Sequence, residues 1–76
     1  MLTVIELQTN DGITSVISTS YADESLAYQK YYQVLSFAAV SDIDIHSAAI
    51  INEEGLSIKN ETFNRIFGKD NDIIES

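Results

Sequence analysis

Residues 3–19 read TVIELQTNDGITSVIST, and this stretch decides the fold. Two runs rich in Val, Ile and Thr flank Asn10-Asp11-Gly12. Asp-Gly suits the two central positions of a tight hairpin turn, both of which need φ above zero. With Asp11 and Gly12 in that turn, Asn10 pairs with Ile13, Leu7 faces Val16 and Ile5 faces Ser18. This register puts Ile5, Leu7 and Val16 on one side, the expected core face. Val4 and Ile17 fall on the other side. The alternation is imperfect, and a slip of one residue would exchange the two faces.

Outward from this hairpin, residues 22–40 contain neither Gly nor Pro. Ala27, Tyr31, Val34, Leu35 and Ala38 recur at three- and four-residue steps, which predicts a helix with one apolar stripe. Tyr28, Tyr32 and Ala39 flank the stripe, and Gln29, Lys30, Gln33 and Ser36 point away from it. Ser20 is the expected N-cap, and Asp23 and Glu24 suit the positive end of the helix dipole. Beyond Asp42 the composition turns strand-like again, over 43–51 and 56–63. Asn52-Glu53-Glu54-Gly55 between these runs predicts a second hairpin, with Gly55 in a left-handed position. Phe63, Ile66 and Phe67 are expected to close one end of the core.

The pattern is β-β-α-β-β, an α+β fold with one helix packed on a four-stranded, mostly antiparallel sheet. Residues 1–67 form the single expected domain, and 68–76 an acidic tail that is expected to be mobile. One helix covers one face of such a sheet. Val4, Ile17 and the run Ala48-Ala49-Ile50-Ile51 supply apolar residues for the open face, so a homodimer is expected. A chain of 76 residues buries only about 60% of its unfolded surface, which leaves a thin stability margin.

Composition narrows the function. Twelve acidic residues stand against four basic ones, for a net charge of -8, yet 45% of the chain is hydrophobic. Such a chain folds, and its surface is strongly negative. Nucleic-acid binding draws its affinity from Lys and Arg meeting phosphates, and Lys30, Lys59, Arg65 and Lys69 are scattered and outnumbered. Direct binding to nucleic acid or to an anionic membrane is therefore not expected, whereas a basic protein is the expected partner. Absence of cysteine removes disulfides and thiolate metal sites. The first residues carry no basic group and no long apolar run, so no secretory signal and no membrane span are read, and a cytoplasmic location is expected. Asn60-Glu61-Thr62 matches a glycosylation acceptor only by coincidence on this reading.

No catalytic, cofactor or metal motif stands out. Asp42-x-Asp44-x-His46 would place three polar groups on one strand face, but residues two apart are separated by about 6.7 Å, too far to grip one ion together. A solvent-facing strip is the expected role. The same spacing is near that of successive phosphates, so Asp42, Asp44, Glu53 and Glu54 are the candidate contact residues for a basic, nucleic-acid-binding protein. The competing role of these charges is solubility alone. Tyr28, Tyr32, Ile17 and Ile50 are the candidate residues of an apolar interface, since tyrosine is enriched at interface hot spots.

The cadence of Ala27, Tyr31-Tyr32, Leu35 and Ala38-Ala39-Val40-Ser41, then His46-Ser47-Ala48, Asn52-Glu53-Glu54-Gly55 and Ile58-Lys59, resembles small uncharacterised open reading frames of phages and mobile elements of Gram-positive bacteria. The resemblance covers about half the chain and carries over no functional residue. It implies a bacterial or phage-infected cell and, by analogy, an inhibitor that mimics nucleic acid. Two functions are thus in play: a non-enzymatic acidic module that binds a basic protein, or a structural homodimer whose charge only solubilises it.

Overall fold

A computed structural model describes residues 1–65. Ile66, Phe67 and the expected tail, 68–76, lie outside the described residues. Two hairpins and a helix follow in the expected order: β1 (Leu2–Asn10), β2 (Ile13–Tyr21), α1 (Glu24–Val40), β3 (Ile45–Ile51) and β4 (Ser57–Asn64). The four strands form one antiparallel sheet in the order β2-β1-β3-β4. The helix carries the chain from edge strand β2 across to β3, so β1 and β3 are central and β2 and β4 are the edges.

The first turn is as its composition dictates. Asp11 and Gly12 have φ of 53° and 79°, and Asn10 pairs with Ile13, Leu7 with Val16 and Ile5 with Ser18. Asp tolerates this left-handed region because its short side chain can bond locally, and Gly has no Cβ to clash. Gly55 closes the second hairpin at φ 83°. There the Asn52 side chain accepts the Glu54 and Leu56 N–H groups at 2.9 and 3.0 Å, and a bulge interrupts the β3–β4 register beside Ile51.

The helix begins two residues later than the composition suggested. Asp23 rather than Ser20 is the N-cap: its carboxylate accepts the Ser25 N–H at 2.8 Å. Ser20 instead lies in β2, where its hydroxyl bonds that of Thr3 across the ladder. Ala27, Tyr31, Val34 and Ala38 form the buried stripe, as the spacing required, with Leu35 and Tyr28 partly buried beside it.

The sheet presents to this stripe the face opposite to the one expected. Leu2, Val4, Ala48 and Ile50 are buried beneath the helix, and Ile50 is 0% exposed. Ile5 is half-buried, and Leu7 and Val16 are exposed. Ile50 is therefore core and not an interface residue, and Val4 and Ala48 likewise leave the open face. The contact is steric as well as hydrophobic. Ala27 and Ala38 on the helix and Ala48 on the sheet are almost fully buried, and these small side chains let the helix settle close to the central strands. Ile5 and Leu7 turn to the open face, opposite Ala49 and Ser47.

Ile50→Ala should therefore cost about 2–5 kcal/mol, while Leu7→Ala should cost under about 1 kcal/mol, both read by urea denaturation. The reverse ranking would mean that the helix covers the other face.

Candidate functional site

Three features carry polar chemistry or contact potential, and they occupy different parts of the fold. The first is inside. On the helix side of the sheet, Leu2 and Val4 of β1 give way to Glu6 and Gln8, while Ile50 and Ala48 of β3 give way to His46. His46 is 2% exposed. Its Nε2 lies 2.6 Å from Glu6 Oε2, and the same oxygen accepts the Gln8 amide at 2.9 Å. Its Nδ1 lies 3.0 Å from the Ser41 hydroxyl, which sits at the end of the helix. Burial works against ionising Glu6, but hydrogen bonds from His46 and Gln8, with the charges of His46 and Lys30, outweigh it and hold the carboxyl below its ordinary value of 4.5.

The expected solvent-facing strip of Asp42, Asp44 and His46 is thus not formed. β3 starts at Ile45, so the two aspartates lie in the preceding loop and His46 points into the core. Serine, histidine and glutamate in a row suggest a nucleophile and its base, but the surroundings are wrong for acyl transfer. Ser41 caps a helix C-terminus, where carbonyl oxygens converge, including that of Ala38 at 3.4 Å. A developing oxyanion needs donors at that point. The nearby guanidinium of Arg65 is engaged instead, its Nη2 donating to the carbonyls of Ala38 and Ala39 at 2.6 and 3.2 Å. What this arrangement does is fasten the end of α1 to the sheet.

The second feature is acidic, and the structure divides it. Asp42 and Asp44 lie where β3 begins, and Glu53 and Glu54 in the turn where β3 and β4 meet at the other end of the sheet. They make no continuous row. Asp44 braces the first hairpin, accepting the Asp11 N–H at 3.1 Å while its own N–H donates to Asn10 Oδ1 at 3.3 Å. Glu53 bonds the N-terminal ammonium of Met1 at 2.7 Å, a hydrogen bond and charge that lower its pKa. Asp42 and Glu54 are exposed. Glu24, at the start of the helix, joins Glu53 and Glu54 around a shallow groove with Met1, Leu2 and Asn52.

The third feature is an absence of charge. Register and alternation place Thr3, Ile5, Leu7 and Thr9 of β1 on the open face. They are joined by Thr14, Val16, Ser18 and Ser20 of β2, and by Ile45, Ser47, Ala49 and Ile51 of β3. Asn60, Thr62 and Asn64 come from β4. No charged residue is among them, in a chain with twelve acidic and four basic groups. The centre is apolar, and Thr, Ser and Asn surround it. Ile17 lies on the helix side of β2 but beyond the helix, 53% exposed. Tyr32 is exposed and Tyr28 half-buried on the helix, so neither belongs to the open sheet face with which they were grouped. Tyr32 packs edge-on to the buried Tyr31, ring centres 5.2 Å apart.

No family model, curated protein or solved structure matches this chain. Among the described residues there is no group of three or more ligating side chains placed to hold a metal ion, and no helix long and apolar enough to cross a membrane.

The internal pair was missed partly because the faces were assigned the wrong way round. With Leu2 and Val4 inward, alternation puts Glu6 on the helix side, but its meeting with His46 also needs β1 beside β3 with Gln8 opposite His46, a strand order the sequence did not show. The folded pKa of Glu6 lies below its unfolded value, so its contribution is complete above about pH 4.5 and is lost as pH falls through the folded value. Glu6→Gln should cost about 1–2 kcal/mol at pH 7 and much less at pH 3, by urea denaturation at both. An equal cost at the two pH values would show that ionisation of Glu6 is irrelevant.

Proposed function

We propose that this protein is a non-enzymatic assembly module that associates with itself through the uncharged part of its sheet, which takes in the open face and the edge strand β2. One observation carries the reading: among the described residues, every charge is kept off the open sheet face and off strand β2. Two chains of net charge -8 repel over most of their surfaces. The uncharged region is the one place where copies meet without opposing carboxylates. A domain of this size also gains most from burying surface against a partner. Charge in this account restricts which contact is made and keeps the assemblies soluble.

A second reading keeps the acidic contact with a basic protein, in altered form. Its support is the groove where Glu24, Glu53 and Glu54 meet. Asp42 and Asp44 lie at the other end of the sheet and do not contribute to it. The two readings respond oppositely to salt. Self-association of like-charged chains tightens as salt screens repulsion, whereas attraction to a basic partner weakens.

Sedimentation equilibrium at 50 and 500 mM NaCl tests this. The expected result is a dimer that tightens at the higher salt and is unaffected or strengthened by Asp42→Asn with Glu54→Gln. A chain that stays monomeric at all concentrations and both salts would rule out self-association.

A further inference from the structure

The two edges of the sheet are unlike. β4 carries Lys59 and Glu61 and is interrupted by a bulge. Charge and bulges are the usual means of stopping an edge from pairing with another chain. β2 has neither. Its nine residues, ITSVISTSY, contain no charge, no Gly and no Pro, and they pair with β1 without a register shift. Among the described residues nothing lies over it from Ile13 to Ser20, where every residue is exposed, with Ile13 at 72%.

Resting on the self-association reading, we propose that β2 pairs antiparallel with β2 of a second copy, joining two sheets into one of eight strands. The pairing follows from the first turn. In a hairpin closed by two residues, the flanking pair Asn10 and Ile13 exchanges both hydrogen bonds, and such pairs then recur at every second residue. Ile13, Ser15, Ile17, Thr19 and Tyr21 therefore direct their main-chain groups at β1. Thr14, Val16, Ser18 and Ser20 direct theirs outward.

A twofold axis at Ile17 uses all of the outward groups. Thr14 then pairs with the partner's Ser20 and Val16 with the partner's Ser18, and their two symmetry mates complete the set. Four such pairs exchange about eight hydrogen bonds. Moving the axis to residue 16 or 18 loses one pair. The central register also puts Ile17 directly against the partner's Ile17, and Ile13 against the partner's Tyr21. These contacts bury apolar side chains that the helix leaves bare. A second copy fits better than a foreign strand because the sequence is matched along its whole length to its own reverse run. Asp11 is brought towards the partner's Asp23, which gives the salt response its sign.

The protein has no cysteine, so a single introduced one reports the register cleanly. Residues opposed in a non-hydrogen-bonded pair lie about 4.5 Å apart at Cα, within disulfide range. Ile17→Cys should crosslink to a covalent dimer under mild oxidation, whereas Leu7→Cys, at the centre of the open face, should not. Ser18→Pro removes only an outward N–H and leaves the β1 ladder intact, so circular dichroism should be unchanged. Its dimer constant should weaken by about 10- to 100-fold. Leu7→Lys should leave that constant unchanged. A dimer that crosslinks at residue 7 but not 17, and is broken by Leu7→Lys but not Ser18→Pro, would overturn edge pairing while leaving self-association through the open face. A wild-type chain that is monomeric throughout would overturn both.

Discussion

One helix cannot cover a four-stranded sheet. A helix is about 10 Å across with its side chains, and strands lie about 4.8 Å apart, so α1 shields two strands on one side. The chain order sends it over β1 and β3, and the core forms there from Leu2, Val4, Ala48 and Ile50 against Ala27, Tyr31 and Val34. Everything else in the structure answers to that shortage of cover. The opposite face is left without a covering element among the described residues, and nearly all of β2 is exposed. Among the described residues those surfaces carry no charge: the exposed carboxylates lie on the helix, the turns, the loops and β4, and Glu6 of β1 turns to the helix side.

The helix is held at its two ends by different means. Asp23 satisfies one of the orphaned amides in the first turn of α1, that of Ser25. At the other end the carbonyls of Ala38 and Ala39 meet Arg65, and Ser41 meets His46, which is paired to Glu6 beneath. This second anchorage ties the helix to β1 and β3 just where apolar packing runs out. A buried polar pair is a poor source of net stability compared with apolar packing, because both groups must be desolvated. Its value lies in specifying geometry: were the helix to settle on the other face, Glu6 and His46 would be left without it.

Much of the architecture was legible in the sequence because local rules dominated it. Asp11-Gly12 fixed the first register to the residue, the three- and four-residue steps from Ala27 to Ala38 fixed the buried stripe, and Gly55 marked the second turn. The choice of sheet face was not legible in the same way, because Ile5, Leu7 and Val16 are as apolar as Leu2, Val4 and Ile50. Ala48 faces the helix beside Ile50, but Ala49 lies opposite Ile5 on the other face, so neither residue size nor hydrophobicity along the strands alone distinguishes the two sides. The wrong choice of face placed Ile50 at an interface and, with the strand order unread, hid the Glu6–His46 pair. Ser20 failed as a cap because β2 runs on to Tyr21. Asp42, Glu53 and Glu54 are exposed while Asp44 is half-buried against the first hairpin, and their grouping depends on which ends of β3 they flank, which adjacency in sequence does not show.

The central claim is that uncharged β2 is a contact surface. Amide hydrogen exchange, followed residue by residue as concentration rises, tests it most directly. The odd-numbered amides from Ile13 to Thr19 are bonded to β1 and should be protected at every concentration. Those of Thr14, Val16, Ser18 and Ser20 should exchange fast when dilute and become protected when concentrated. Fast exchange at these four positions under all conditions would contradict the account.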